Sequence, residues 1–250
     1  MDIFRAFLKI KIREGKLAEF SSSAAEMIQI VKATEGNCLQ YEAFANQEKG
    51  EILWLESYAQ NTDIDFHLSN PALDELKLHM MPMQEAILDF AFLAEPSKNT
   101  LEGLKAYGID ARALKEVPGG FNRLTEERTS NNIQTIEIVT AKDAEAFDSF
   151  ISKVRAVSSL HPGYLFAQSY IISDQQRLLI NEFASEESLR SWLDIFTPQF
   201  GTEFQTLIEN FEMISAAGSA SESLKQLAGQ WNSEIFERVG GFSRYSKAAV

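Results

Sequence analysis

The sequence predicts an α+β protein built from two copies of one βαββαβ unit. The main observation is a repeated stretch, LWLESYAQNTDIDFHLSNP over residues 53–71 and LLINEFASEESLRSWL over residues 178–193. Each stretch is typical of a buried strand followed by a capped helix. At a constant offset (192 − 67 = 125) the aligned pairs keep an apolar or aromatic character: Tyr58 with Phe183, Ala59 with Ala184, Ile64 with Leu189, His67 with Trp192 and Leu68 with Leu193. A duplicated supersecondary unit is therefore expected.

The first copy follows from hydrophobic periodicity. Alternating residues predict strands, whereas apolar residues spaced three and four apart predict helices. The expected elements are a strand over 3–13, a helix over 17–31, two strands around the polar turn 46–50, a helix from about Thr62 that ends before Pro71, a short helix over 72–80 and a strand over 87–93. We expect residues 1–95 to form the first domain.

The second copy repeats this order. A strand is expected over 133–139, a hairpin turn at 173–176 and a last strand from Leu207. The first helix repeats at an offset of 127 (144 − 17 = 127), with Ala144, Phe147, Ile151 and Val154 in place of Leu17, Phe20, Ala24 and Met27. We expect residues 130–216 to form the second domain.

Each copy is followed by an appendix. Residues 96–129 are expected to be a helical appendix and linker, and residues 217–250 a C-terminal helical appendix, each with about twenty helical residues before a Gly-Gly-Phe turn. The apolar residues of each appendix need cover, so we expect each appendix to pack onto the other domain. These residues are Leu101, Leu104 and Phe121 in the first appendix and Leu224, Leu227 and Phe242 in the second.

Composition excludes several classes of partner. The net charge is −13 and no basic stripe occurs, so we expect neither nucleic acid nor a membrane surface as a partner. The first residues, MDIFRAFLKIKIREGK, alternate rather than run apolar, which predicts neither a signal peptide nor a span. The single cysteine, Cys38, permits no intrachain disulfide and favours a cytoplasmic location.

The absence of several motifs argues against further classes of protein. Three histidines and one cysteine are scattered without metal-ligand spacing, so no metal is expected. No nucleophile elbow, Walker loop or dinucleotide fingerprint occurs, which argues against hydrolases, NTPases and dehydrogenases.

The first copy closely resembles the antibiotic biosynthesis monooxygenase family, a branch of the dimeric α+β barrels. The resemblance rests on the βαββαβ order, Gly36 opening the hairpin, the ESY triplet with Glu56 and Tyr58, and the helix DFHLSNP. It is good over about residues 3–93 and weaker over 133–214. It implies two ferredoxin-like domains that form an intrachain pseudo-dimeric α+β barrel, with a cavity between sheet and helices in each domain. A homodimer of the chain is also compatible with it.

The family includes cofactor-free oxygenases of aromatic compounds and haem-degrading enzymes. The haem-degrading branch has a Trp on the second helix, a His ten residues later and an Asn on the first strand. This chain has His67 and Lys77 at the two helical positions and no Asn on its first strand, so it departs from that pattern.

The resemblance implies a monooxygenase-like protein that oxidises a small aromatic or quinone-like compound without a cofactor. His67 is the expected base, with His79 and Tyr58 as helpers, because a neutral imidazole can take a phenolic proton near pH 7. Since His67 becomes Trp192 in the second copy, we expect the chemical cavity in the first domain and an apolar, structural one in the second. The alternative is a non-catalytic binding or structural module in which His67 is a core histidine bonded to the backbone.

Overall fold

The computed structural model describes residues 3–106, 108–123 and 131–244. The chain divides into two compact units. The first unit comprises Met1–Leu114 together with Phe236–Val250, and the second unit comprises Lys115–Ile235.

The first unit contains the predicted βαββαβ order. Its elements are β1 (Phe4–Ile12), α1 (Leu17–Thr34), β2 (Cys38–Asn46), β3 (Glu51–Tyr58), α2 (Thr62–Ser69), α3 (Asp74–Met80), β4 (Gln84–Phe92), α4 (Lys98–Ala106) and the short β5 (Arg112–Ala113). A 3₁₀ turn at Pro71–Leu73 separates α2 from α3, since proline cannot continue the preceding helix. The sheet of this unit runs β5-β4-β1-β3-β2.

The second unit contains the same βαββαβ order, preceded by one additional strand. Its elements are β6 (Lys115–Asn122), β7 (Ile133–Ala141), α5 (Ala144–Ser158), β8 (Tyr164–Ile171), β9 (Gln176–Phe183), α6 (Glu186–Leu207), β10 (Ile208–Ala217) and α7 (Glu222–Gln230). Its strands run β10-β7-β9-β8-β6. The ferredoxin-like α+β fold expected from the sequence is therefore confirmed in both units.

The last strand, β11 (Ser233–Ser243), shows that the two appendices are exchanged. Its residues Glu237–Ser243 pair with β2 of the first unit, although they follow the second copy in sequence. Conversely, β6 follows the first copy and pairs with β8 of the second unit. The two exchanges agree in register at the phenylalanines, because Phe242 lies opposite Tyr41 and Phe121 lies opposite Ala167, the equivalent of Tyr41 on β8.

The appendices differ from expectation in two respects. The helices α4 and α7 have nine residues each, not about twenty, and a strand follows each of them. Packing onto the other domain is confirmed for Phe121 and Phe242, but wrong for the helices. Leu104 packs in the core of the first unit and Leu224 in that of the second, each beside its own copy.

The Gly-Gly-Phe segments form part of these exchanged strands. Gly119 and Gly241 have positive φ values of 101° and 154°, so each strand is irregular at its glycine pair. Two residues after each Phe, an arginine donates to carbonyls at the end of a helix. Arg244 Nη1 lies 3.1 Å from Glu35 O, and Arg123 Nη1 lies 2.7 Å from His161 O. Both carbonyls also accept from a backbone N–H, that of Cys38 or Tyr164, so each arginine adds a second donor and ties the exchanged strand to the turn after a helix.

None of the helices in the described part of the chain combines the length and apolar character needed to cross a membrane.

Candidate functional site

His67 is buried in the first unit beside a carboxylate. It lies on α2, and its Nδ1 is 3.0 Å from Oε1 of Glu35, the residue that ends α1. Asn70, which caps the turn after α2, donates to the same oxygen at 2.8 Å. Glu35 is only 4% exposed, so these hydrogen bonds satisfy an oxygen that burial removes from water. His67 thus bonds to a carboxylate rather than to the backbone.

The other ring nitrogen of His67 lies near a tyrosine. His67 Nε2 lies 3.5 Å from the Tyr41 hydroxyl, which also lies 3.4 Å from the Met27 sulfur. Both ring nitrogens of His67 are therefore occupied by protein groups. The network is an inward-directed chain of Glu35, His67 and Tyr41.

Tyr58 lies beside His67 but bonds elsewhere. The two ring centroids are 6.0 Å apart, and the Tyr58 hydroxyl donates to Glu56 Oε2 at 2.9 Å. Burial raises the pKa of the Glu56 carboxyl, an effect that nearby His67 opposes. Burial also raises the pKa of Tyr58 well above its usual value, so this phenol acts as a donor. Glu56 is thus a bonded acid rather than the solvent-facing acid that a strand surface would suggest.

An open depression of about 370 Å³ lies next to this cluster. Glu35 and Tyr58 contribute to its wall, together with Thr34, Gly36, Asn37, Cys38, Asp63 and Phe66. The depression thus reaches two groups that contact His67.

His79 lies apart from this cluster. It is on α3, its side chain is 53% exposed, and its Nε2 is 3.6 Å from Glu19 on α1. The structure therefore brings His67 and Tyr58 together but leaves His79 at the surface, where an exposed ion pair is worth little. The separation arises because the turn at Pro71 redirects the chain between the two histidines.

The second unit holds a different kind of cavity, about 90 Å³ in volume. Most of its wall is apolar or aromatic, from Ile151, Val154, Tyr164, Ala167, Leu179, Phe183, Leu189, Trp192, Leu193, Phe196, Phe204, Phe211, Met213, Leu224, Leu227, Ala228 and Trp231. The polar members of the wall are Thr135, Glu137, Arg155, Ser158, Asn181 and Ser215.

Smaller side chains open this space in the second unit. Tyr41 lies opposite Glu56 in the first unit's sheet. Ala167 lies opposite Asn181 in the second, and Asn181 is equivalent to Glu56 (181 − 56 = 125). Ala167 thus stands where the first unit has Tyr41, whose side chain is buried among Met27, Trp54 and His67.

A polar network lies on the wall of this cavity. The Tyr164 hydroxyl donates to Asn181 Oδ1 at 2.6 Å, and Asn181 Nδ2 donates to Glu137 Oε1 at 2.9 Å. The Thr135 hydroxyl donates to the same oxygen of Glu137 at 2.8 Å. Burial raises the pKa of Glu137, while the bonds from Thr135 and Asn181 act in the opposite direction. Such a carboxyl group, held in place and raised in pKa, is suited to exchange a proton with a ligand.

The expectation of a purely apolar second cavity is therefore wrong. The second copy has Trp192 in place of His67, and this replacement suggested a cavity without polar groups. The polar residues Glu137, Asn181 and Tyr164 were therefore not predicted. The available signal was the offset of 125, which places Asn181 on Glu56 and shows that a polar group is kept there in both copies.

Comparison with known proteins agrees with the fold. Residues 3–77 match the sequence profile of the antibiotic biosynthesis monooxygenase family. No curated protein matches the sequence. A proposed monooxygenase from Lactobacillus acidophilus NCFM superposes with a TM-score of 0.63 at 12% identity, covering 98% of this chain and 97% of that chain. A proposed monooxygenase from Fusobacterium nucleatum has the same TM-score and identity, covering 84% of this chain and 89% of that chain.

Fold and site together define a tandem ferredoxin-like α+β protein whose second unit has a mostly apolar cavity with a polar group on its wall. Residues 3–77 of its first unit match the antibiotic biosynthesis monooxygenase family, so the resemblance drawn from the sequence is confirmed over that stretch. The family supports a monooxygenase-like function in general terms.

Proposed function

We propose that this protein oxidises a small aromatic or quinone-like compound with molecular oxygen, without metal or flavin, in the cavity of the second unit. The observation that carries the proposal is Glu137, a carboxyl group of raised pKa on the wall of an aromatic cavity. In this proposal Glu137 replaces His67 as the base.

The chemistry needs few protein groups. A phenol that loses its proton to a base becomes electron-rich enough to transfer an electron to O₂. When a phenol with a free para carbon is oxidised to a quinone, one oxygen atom becomes the new carbonyl and the other leaves as water. The substrate supplies all four electrons, so the step balances without an external reductant. The protein contributes a base, orientation and exclusion of water.

The geometry of the network supports this role for Glu137. Thr135 and Asn181 both donate to Oε1, so they hold the carboxyl group in one orientation. Because both bonds end on Oε1, Oε2 is the oxygen that we expect a ligand hydroxyl to meet. Trp192 and Phe183, on the same wall, offer flat faces against which an aromatic ring can pack.

The test is oxygen uptake with 1-naphthol, hydroquinones and anthrone, comparing the wild type with Glu137→Gln. Glutamine keeps the shape but cannot take a proton, so the rate should fall by about 10²–10⁴-fold, the usual contribution of base catalysis. His67→Gln is the matched control in the other unit and should retain activity. A Glu137→Gln protein as fast as the wild type would show that Glu137 is not the base.

The first-unit cluster is the competing location. Its supporting observation is the depression lined by Glu35 and Tyr58, which contact His67. If His67→Gln abolishes oxygen uptake and Glu137→Gln does not, His67 is the base and Tyr58 is its helper.

The second candidate function is a non-catalytic binding module. The observation in its favour is that both nitrogens of His67 are bonded within the protein, as in a core histidine. Ligand-induced rises in melting temperature without oxygen uptake, across the whole compound panel, would favour it.

A further inference from the structure

Arg155 is a buried cation that the proposed reaction does not use. It lies on α5, is 6% exposed and contributes to the wall of the second-unit cavity. Its guanidinium donates to the Ser169 hydroxyl and, at 3.5 Å, to Pro118 O. Both partners are neutral. Among the described residues, no carboxylate lies within ion-pair distance of this guanidinium.

A charge in this position is unfavourable unless something compensates for it. Burial has the largest effect and lowers the pKa of Arg155, which means that desolvation opposes its charged form. Tyr164, Tyr170 and the more distant carboxyl groups of Glu116 and Asp148 act in the opposite direction. Buried charges in proteins are normally paired. A guanidinium has five N–H donors in a planar fork that matches a carboxylate, and two neutral acceptors do not use that capacity.

The other unit shows that the fold does not need a charge at this position. The equivalent residue on α1 is Ile28 (155 − 127 = 28), which is 1% exposed. Both residues face the glycine pair of an exchanged strand. A Cβ built on Gly240 would lie 3.2 Å from Ile28 Cδ1, and one on Gly119 would lie 4.0 Å from Arg155 Nη1. An isoleucine thus serves the same packing position where no such cavity opens.

We propose that Arg155 binds the carboxylate of an aromatic acid in the second-unit cavity. The ring would lie among the aromatic side chains of the wall, with its acidic group on Arg155. The claim that an aromatic acid is the substrate rests on the proposed function. The claim that an aromatic acid binds to Arg155 does not require turnover. The neutral aromatic compounds of the oxygen-uptake panel would then be weaker ligands than their carboxylated analogues.

The test is calorimetric titration under anaerobic conditions with 1-hydroxy-2-naphthoate and its neutral amide, 1-hydroxy-2-naphthamide. The wild type should bind the naphthoate about ten- to a hundredfold more tightly than the amide, as expected for a charged hydrogen-bonded pair. Arg155→Ile copies the residue of the other unit and should abolish this preference while keeping the affinity for the amide. Arg155→Met serves the same purpose if the branched side chain impairs folding.

Equal affinity of the wild type for both compounds, or no binding of the naphthoate, would overturn the proposal. So would a preference that survives in Arg155→Ile or Arg155→Met. Failure of the proposed function is a separate outcome. In that case the naphthoate binds through Arg155 but no compound supports oxygen uptake, and the anion site stands without the reaction.

Discussion

At the scale of single residues, Tyr41 and Ala167 occupy equivalent places and produce different interiors. In the first unit the Tyr41 ring is 2% exposed and packs between the sheet and the helices α1 and α2. Its hydroxyl contacts Met27 and His67. In the second unit the methyl group of Ala167 leaves room for the cavity. The size of this side chain thus contributes to the difference between the two interiors.

Truncation of Tyr41 should therefore be costly. Tyr41→Ala should lower the free energy of unfolding by about 3–5 kcal/mol, because a large ring is removed from a packed core. Tyr41→Phe is the control, since it removes only the hydroxyl and should cost about 1 kcal/mol. Urea unfolding measures both. Equal effects of the two substitutions would show that the ring does not fill the first unit in this way.

Glu137 gives a prediction about pH. Because its folded-state pKa is raised above the ordinary 4.5, the folded protein binds this proton more readily than the unfolded chain. Stability should therefore fall as pH rises from about 4.5 through the raised pKa, and should level off above it. Glu137→Gln has no carboxyl group at this position, so its stability should not fall for this reason. The free energy of unfolding of Glu137→Gln minus that of the wild type should therefore increase across that interval.

The measurement is urea unfolding of both proteins between pH 4 and pH 8. The raised pKa of Glu56 affects both proteins alike and cancels in the difference. Substitution of the exposed Glu85 by Gln controls for the loss of one charge. A difference that shrinks with rising pH would contradict the prediction.

At the scale of elements, the sequence predicts the core units well and the appendices poorly. Strands such as β3 and helices such as α1 have strong periodicity, and their positions agree with expectation. The appended strands β6 and β11 contain glycine pairs and irregular registers, which weaken the alternation that indicates a strand. Their partners lie in the other copy, and no local pattern specifies a partner that distant in the chain.

The candidate site was hard to predict for a related reason. Glu137, Asn181 and Tyr164 lie on three different strands, and only the sheet register brings them together. Each of them alone is an ordinary strand residue. His67 was easier to single out because histidine is rare in this chain, which has three.

The glycine pair of β11 can be tested directly. A Cβ on Gly241 would lie 2.5 Å from Glu42 Cγ and 2.8 Å from Glu42 Cα, at a φ of +154°. Gly241→Ala should therefore destabilise the first unit by about 1–3 kcal/mol. Gly103→Ala, in helix α4 with no atom within 4 Å, is the matched control and should be stabilising by up to about 1 kcal/mol. Thermal unfolding compares them, and two neutral substitutions would show that β11 does not approach β2 this closely.

At the scale of the whole molecule, neither unit coincides with one copy of the sequence repeat and its own appendix. The first unit needs residues 236–250, and the second begins at Lys115, before the second copy starts. The sequence repeat predicts the duplication but not this exchange. An intrachain pseudo-dimer remains our prediction for how the copies associate, and covalent linkage would give the partner strand an effective concentration of roughly the millimolar range.

The exchange predicts the behaviour of an isolated first half. A fragment of residues 1–123 keeps β6 but loses β8, its partner, and keeps β2 but loses β11. Since β6 and β11 are equivalent and place Phe121 and Phe242 opposite equivalent residues, β6 of one fragment can pair with β2 of another. Two such exchanges close a symmetric dimer with no unpaired β2 edge. Sedimentation velocity up to roughly millimolar concentration should therefore show twice the fragment mass. The fragment 1–114, which lacks β6, should not dimerise, and a folded monomeric 1–123 would show that the exchanged strand is dispensable.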